Sequence, residues 1–230
     1  MIRPIHGLIF LFKWMPSTEP EGNVVDPPNV FFAKQVINNA CTTQAIINIL
    51  LNCHHEDIQL GQTLTDLKEF IHHFDPTMKG LALSNSDVIK QVHNSFARQQ
   101  MFEIEAHKAN KDDDVFHFIS YVPIDGHLYE LDGLKSGPID LGVVAKDEDW
   151  IEVARPHIEK RMQKYSEGQI HFNLMALISN KIMIYERQLQ DLQTKLESGQ
   201  SMETDSIQVE IEHLKSMIAD EESKMKSYKV

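Results

Sequence analysis

The chain has 230 residues, of which 42% are hydrophobic and 24% are charged, and its formal net charge is −12. This is the composition of a globular protein with a substantial core, and the acidic balance argues against nucleic acid, whose phosphates require clustered lysine and arginine. No apolar run is long enough to cross a membrane. The two cysteines cannot form a disulfide framework, and free thiols favour a cytoplasmic and nuclear protein.

The first half of the chain predicts one buried strand followed by helices. A continuous apolar run is typical of a central strand, whereas apolar residues that recur every three or four positions indicate a helix. Thr63 and Asp66 resemble a capping box at the start of the second helix, and Pro76 is predicted to end that helix. The predicted elements are a strand over 7–14, a loop over 16–29, a helix over 40–53 with Asn38 or Asn39 as its N-cap, the helix near Thr63, a helix over 86–95 and a long mobile loop over 97–114.

The second half of the chain contains the clearest local signal, a β-hairpin. Residues 116–122 and 127–132 are rich in aromatic and branched side chains, and they flank the turn dipeptide Asp125-Gly126. The elements predicted after the hairpin are an amphipathic helix over 147–164 interrupted at Pro156, a strand over 170–178, and two helices near 185–196 and 207–218 joined by a polar linker.

Cys41 is a candidate nucleophile because it begins a predicted helix, where the backbone N–H groups and the helix dipole favour thiolate over thiol. His117 lies on the first hairpin strand and Asp132 ends the second, so the turn can bring a base and its orienting acid side by side. The residue types alone leave open that Cys41 is an ordinary core residue, because the chain has 12 histidines and 34 acidic residues. Cys53, on the apolar face of the same helix, is predicted to be buried and inert.

A resemblance to a known family favours the catalytic interpretation. Residues 35–45, Gln-Val-Ile-Asn-Asn-Ala-Cys-Thr-Thr-Gln-Ala, closely resemble the active-site segment of the ubiquitin C-terminal hydrolases, a papain-like family of cysteine proteases. The long-tailed, proteasome-associated members are the most similar, over roughly residues 5–228. The other matching segments are 80–86, 94–100, 116–121, 128–134, 137–140 and 172–175.

The resemblance implies a role for each candidate residue. Cys41 matches the nucleophile, and His117 matches the general base that later returns the proton. Asp132 matches the acid that orients the histidine, and Gln35 matches the donor of the oxyanion hole. The stretch 97–114 matches the crossover loop under which the C-terminal tail of ubiquitin passes. The implied reaction is hydrolysis of the bond that follows the C-terminal glycine of ubiquitin.

The resemblance also implies the fold and the partners. We expect an α+β, papain-like ubiquitin C-terminal hydrolase fold with an antiparallel sheet flanked by helices. Residues 1–180 would form the catalytic domain, and residues 181–230 would form a helical, coiled-coil-like extension. The implied partners are ubiquitin and its conjugates and, in full-length relatives, the ubiquitin-receptor subunit of the proteasome 19S cap.

Three departures from the family pattern define the alternatives. The chain is expected to lack the family's N-terminal strand and helices and the C-terminal docking segment. The alternative function is therefore a catalytically impaired ubiquitin-binding or adaptor form, and composition alone also allows an acidic coiled-coil adaptor. Thr42 stands where the family usually has glycine or alanine, and it either crowds the cleft or points outward.

No cofactor or metal is expected. The sequence has no glycine-rich phosphate loop. The histidines within 54–57 and at 72–73 lack the companion ligands of a metal-binding motif, so they are predicted to lie on a solvated surface.

Overall fold

The structure is a computed structural model of the chain, and it describes residues 3–14, 22–37, 40–96, 115–165, 172–197 and 204–227. The chain divides into two compact units, Ile5–Leu177 and Met1–Pro4 with Ile178–Val230. The domain boundary expected at residue 180 stays a prediction. The predicted loop over 97–114 lies outside the described residues, as do Asn38 and Asn39. The helix that begins at Cys41 has Ala40 at its N-cap position, so the prediction of Asn38 or Asn39 as the N-cap is wrong.

A five-stranded sheet with the order β4-β3-β2-β1-β5 forms the centre of the larger unit. The pairs β1–β2, β2–β3 and β3–β4 are antiparallel. Strand β1 lies between two neighbours, which suits its almost continuous apolar sequence. The strands are β1 (Ile5–Lys13), β2 (Phe116–Ile124), β3 (His127–Leu131), β4 (Ile139–Val143) and β5 (Phe172–Ile178).

Helices flank this sheet, as the α+β prediction requires. The helices of the described residues are α1 (Cys41–Asn52), α2 (Gly61–Phe70), α3 (Pro76–Asn85), α4 (Asp87–Ser95), α5 (Trp150–Tyr165), α6 (Lys181–Glu197) and α7 (Thr204–Ser227). The predicted first strand, the hairpin, the helix that begins at Cys41 and the strand that precedes the C-terminal helices are all confirmed. The hairpin turn places both Asp125 and Gly126 at positive φ, of 49° and 79°, which is the backbone that this dipeptide favours.

The two faces of the sheet bury different helices. Because successive side chains of a strand point to opposite faces, alternate residues of β1 and β2 belong to different clusters. One cluster packs Ile9 and Val122 against α1 through Ala45 and Ile49. The other cluster packs the opposite face against α5, and it contains Leu8, Phe10, Phe12, Ile119, Tyr121, Leu128, Ala154 and Ile158.

Three local predictions are wrong, and one strand was not predicted. Helix α2 begins at Gly61, so Thr63 lies inside the helix and forms no capping box with Asp66. Pro76 starts α3 instead of ending α2, because a proline at the first helical position loses no hydrogen bond, and the Asp75 side chain caps that helix by accepting from the Met78 N–H. Helix α5 continues through Pro156. Strand β4 was not predicted from the sequence. Its five residues are stabilised by pairing with β3, and such pairing leaves no local pattern in the sequence.

The C-terminal unit contains α6 and α7, which confirm and extend the two predicted helices. Asn180 caps α6 by accepting from the Ile182 N–H, and Lys181 pairs with Glu221 of α7 at 3.3 Å. Ile211 and Leu214, three residues apart on one face of α7, are buried. No helix in the described part of the chain combines the length and the hydropathy that a bilayer crossing requires.

A close approach between α3 and the segment before α1 depends on Gly80. A Cβ atom at this position would collide with the Lys34 carbonyl oxygen. The Lys34 N–H in turn donates to the Pro76 carbonyl at 2.8 Å, so α3 holds this segment through its backbone. Gly80 therefore fixes the position of the chain directly before Gln35.

Replacing Gly80 by alanine should lower the free energy of unfolding by about 1–3 kcal/mol, because the new methyl group must push Lys34 away. Urea denaturation followed by circular dichroism measures this loss. Thr77→Ala, at an exposed position of the same helix, is the matched control and should be close to neutral. Equal stability of the two variants would show that the close approach is not needed.

Candidate active site

The pairing of β2 with β3 brings His117 and Asp132 together. Ser120 pairs with Leu131 in the register of these strands, so His117 and Asp132 lie diagonally on one face of the sheet. The His117 Nε2–H donates to the Asp132 Oδ1 at 2.7 Å. The side chains of His117 and Asp132 are 4% and 6% exposed. The hairpin therefore produces the buried base and acid that the sequence predicted.

The Asp132 carboxylate is held by more than the histidine. Its Oδ1 also accepts from the Leu134 N–H at 3.0 Å. Burial alone would raise the pKa of Asp132, but the hydrogen bond and charge of His117, the Leu134 N–H and the charge of Arg161 lower it below its ordinary value. Asp132 is consequently a fixed, ionised acceptor.

Cys41 and His117 lie close enough for each to shift the pKa of the other. Because Nε2 of His117 binds Asp132, Nδ1 is the ring nitrogen left for the thiol. Burial would raise the pKa of Cys41, but the hydrogen bond with His117 and contacts with the backbone of Phe118 and Thr42 lower it. Burial would lower the pKa of His117, but its bonds to Asp132 and Cys41 raise it to about 9. These opposite shifts favour a thiolate–imidazolium pair near neutral pH.

The position of Cys41 at the start of α1 supports the same ionisation. Cys41 is the first residue of this 12-residue helix, and the preceding Ala40 has no polar side chain with which to cap it. The unpaired N–H groups and the positive end of the helix dipole therefore face the sulfur. The rest of α1 is anchored by the buried side chains of Ala45 and Ile49.

The structure places the backbone of Gln35 beside the turn that follows Asp132. The Gln35 N–H donates to the Gly133 carbonyl at 2.8 Å. The Gln35 side-chain amide donates to the Ile37 carbonyl at 3.1 Å, and its buried Oε1 has no hydrogen-bond partner among the described residues. Because the amide carries a second N–H, it can still serve as a donor. The oxyanion-hole role of Gln35 stays a prediction.

Gln44 and Gly133 contribute to the site, and the sequence interpretation missed both. The buried Gln44 amide donates to the Ala33 carbonyl and so ties α1 to the segment that leads to Gln35. A Cβ atom at Gly133 would lie 2.8 Å from Gln44 Nε2 and 3.0 Å from Gln35 Cβ. Only glycine fits there without a shift. A polar residue on the apolar side of α1 was the one signal that could have revealed Gln44.

Thr42 lines a groove beside the nucleophile. The groove has a volume of about 700 Å³ and is walled mainly by apolar side chains of α1, α2 and α4, among them Ile46, Val92 and Phe96. Thr43, also in its wall, bonds through its hydroxyl to His93 Nδ1 at 2.7 Å. Whether Thr42 crowds the catalytic cleft or points away from it stays a prediction.

Cys53 is half-buried, so the prediction that it is buried is wrong, and it differs from Cys41 in the direction of its pKa shift. Its sulfur lies 3.5 Å from His6 Nδ1, and burial raises the pKa of the thiol. Within the described ranges, no three histidine, cysteine or acidic side chains are arranged to hold a metal ion.

The α+β fold with a buried Cys41, His117 and Asp132 defines a papain-like cysteine protease. The model of the family "Ubiquitin carboxyl-terminal hydrolase, family 1" matches residues 1–163. Ubiquitin carboxyl-terminal hydrolase ubh-4 of Caenorhabditis elegans is 46% identical over 229 residues, which cover 100% of this chain and 69% of the relative. The chain therefore belongs to the ubiquitin C-terminal hydrolase family of cysteine-type deubiquitinases.

Further comparisons agree with this family. Ubiquitin carboxyl-terminal hydrolase isozyme L5 of Dictyostelium discoideum is 50% identical over 202 residues, or 85% of this chain and 58% of the relative. The crystal structure of Trichinella spiralis UCH37 bound to ubiquitin vinyl methyl ester superposes with a TM-score of 0.75 at 40% identity, covering 99% of this chain and 83% of the other. The chain spans about 58–69% of the length of these two curated relatives.

Iodoacetamide at pH 7 should alkylate Cys41 and leave Cys53 largely unmodified, because the pKa of the first thiol is lowered and that of the second is raised. The rate of Cys41 alkylation should rise as the pH passes the lowered pKa of the thiol. The imidazolium form of His117 is lost as the pH passes about 9. His117→Ala should move the midpoint of the Cys41 rate to higher pH. Peptide mass spectrometry across pH provides the measurement, and faster labelling of Cys53 would contradict the assignment.

Proposed function

We propose that the chain hydrolyses the bond that follows the C-terminal glycine of ubiquitin, in the cytoplasm and nucleus. The observation that carries the proposal is the ion-paired arrangement of Cys41, His117 and Asp132. A thiolate beside an imidazolium is a nucleophile and a proton donor at once, which is the requirement for acyl transfer. The family membership supports ubiquitin as the acyl group.

The proposed mechanism follows from these groups. The Cys41 thiolate attacks the carbonyl carbon of the terminal glycine, and the oxyanion that forms is stabilised by the Cys41 N–H and by the Gln35 amide. The His117 imidazolium gives its proton to the leaving amine, and a thioester to Cys41 remains. Water, deprotonated by the now neutral His117, then attacks the thioester, which releases the C-terminal carboxyl group of ubiquitin and restores the Cys41 thiolate beside the His117 imidazolium. Asp132 keeps Nε2 occupied, so that Nδ1 performs both proton transfers.

The relative with a bound ubiquitin derivative supports the substrate. The vinyl methyl ester at the end of that ubiquitin is an electrophile that accepts a thiolate, and the Trichinella spiralis protein was crystallised bound to it. At 40% identity over almost the whole chain, transfer of the ubiquitin-binding function is the simplest inference. Nothing in the arrangement of the site favours the catalytically impaired alternative.

The test is hydrolysis of a ubiquitin–fluorophore conjugate by the chain and its variants. Cys41→Ser should abolish turnover, His117→Ala should nearly do so, and Asp132→Asn should leave a residual rate, because loss of a triad member typically costs about 10⁴-fold or more. Gln35→Ala should be milder, at roughly 10²–10³-fold. Cys53→Ala is the matched control and should remain active.

Reaction with ubiquitin vinyl methyl ester separates the candidate functions. Labelling of the unaltered chain but not of Cys41→Ala supports the hydrolase. Binding of ubiquitin without labelling would establish the ubiquitin-binding form. If the chain is neither labelled nor binds ubiquitin, the acidic adaptor is the remaining candidate. Inactivation by Cys53→Ala but not by Cys41→Ala would overturn the assignment of the nucleophile.

Association with the proteasome is part of the same proposal, and the resemblance to the long-tailed members of the family supports it. The two helices α6 and α7 are the candidate element for this contact, since they form a compact unit of their own with the chain's N-terminal residues. Coprecipitation of the chain with the ubiquitin-receptor subunit of the 19S cap tests the association. An active chain that fails to bind this subunit would show a hydrolase that works independently of the proteasome.

A further inference from the structure

A second buried ion pair lies beside the catalytic pair. Arg161, on α5, donates from Nη2 to the Glu130 Oε1 at 2.6 Å. The Glu130 side chain is 5% exposed and that of Arg161 is 21% exposed, unlike the other arginine pair of this helix, Arg155–Glu152, in which both side chains are 57% exposed. A buried charge is costly unless it is paired, so Arg161 and Glu130 depend on each other.

Both members of this pair are adjacent to the catalytic groups. Glu130 lies in β3, and Asp132 follows the end of this strand two residues later; residues two apart in extended chain point to the same face. The guanidinium of Arg161 lies over the ring of Phe12, 5.2 Å from its centroid. The same ring meets His117 edge to face, at 5.7 Å between centroids and 85° between planes.

We propose that Arg161 is a positioning residue: paired with Glu130 and placed over the Phe12 ring, it holds the Asp132 carboxylate and the His117 imidazole in place from α5. This inference rests on the proposed function, since it takes His117 as the base and Asp132 as its orienting acid. Arg161 reaches the two groups by separate routes. It acts on Asp132 through charge, and on His117 through the packed ring of Phe12.

The charges around Asp132 explain why an arginine at position 161 favours the ionised form of Asp132. A second carboxylate on the same face disfavours the ionisation of Asp132, and a cation bound to that second carboxylate offsets this effect. Arginine keeps its charge at all relevant pH values and can pair with Glu130 while its plane lies flat on an aromatic ring. The charge of Arg161 is among the causes that lower the pKa of Asp132. Tyr121, the remaining titratable neighbour, is kept neutral by burial, which raises its pKa well above the ordinary value.

The test follows the ionisation of Asp132 in variants of the pair, in the full chain with Cys53→Ala as background. The carboxyl ¹³C resonance of Asp132, assigned with Asp132→Asn, gives its titration midpoint directly. The midpoint of Cys41 alkylation follows the ionisation of the thiol itself, and it responds to the same charges through His117. Arg161→Met should move both midpoints to higher pH by roughly one pH unit, because Asp132 then faces the unpaired Glu130. Glu130→Gln should move them to lower pH, because the cation is left without its partner.

Opposite shifts distinguish positioning from a merely structural role. A structural role would lower the stability of both single variants without moving the midpoints in opposite directions, so shifts of the same sign, or none in folded variants, would overturn the proposal. Arg161→Lys keeps the positive charge, so its two midpoints should lie close to those of the unaltered chain and not at the higher pH expected for Arg161→Met. Arg155→Met, which breaks the exposed pair of the same helix, is the matched control and should leave both midpoints unchanged. If Arg161→Met does not fold, Glu130→Gln alone still tests the proposal, because a shift of its midpoints to higher pH, or no shift, would contradict it.

Failure of this inference can be told apart from failure of the proposed function. If the midpoints shift as expected but the unaltered chain does not cleave the ubiquitin conjugate, the positioning role stands and the proposed function falls. If the chain cleaves the conjugate and the midpoints stay fixed, the function stands and the positioning role falls.

Discussion

The hydrogen bond between His117 and Asp132 is the interaction on which the rest of the site depends. It exists because β2 and β3 pair in one register, and a slip of one residue would send the two side chains to opposite faces. Once the carboxylate occupies Nε2, the other ring nitrogen is left for Cys41, and the three groups favour one another's charged forms. Burial strengthens these attractions because little water screens them.

The location of the site at the end of the sheet explains how two separate cores serve it. Cys41 contacts two successive residues of β2, His117 through its side chain and Phe118 through its backbone. These residues belong to opposite faces, one packed on α5 and the other on α1. The first turn of α1 therefore reaches around the end of the strand, while the remainder of α1 anchors it in the core. Rigid packing on both faces is what keeps the nucleophile and the base aligned.

Some parts of the fold followed from local chemistry and others did not. Asp125-Gly126 forms the hairpin turn because these residues tolerate positive φ, and apolar spacing alone revealed α1. Pro76 was misinterpreted because a proline can either stop a helix or start one, and the choice depends on the Asp75 cap. Strand β4 was not predicted because five residues paired with a register shift show little periodic pattern, and their extended conformation depends on pairing with β3.

The sequence by itself determined the chemical groups of the site and their order along the chain, because a family motif preserves residue types and spacing. Only the tertiary structure decided their ionisation, since the lowered pKa of Cys41 arises from His117, far away along the chain. It also revealed Gly133, required by a close approach of Gln44, and Arg161, paired with Glu130 across the α5–sheet interface. Such contacts join residues distant in sequence, and no local periodicity records which side chains the packed core brings within hydrogen-bonding distance.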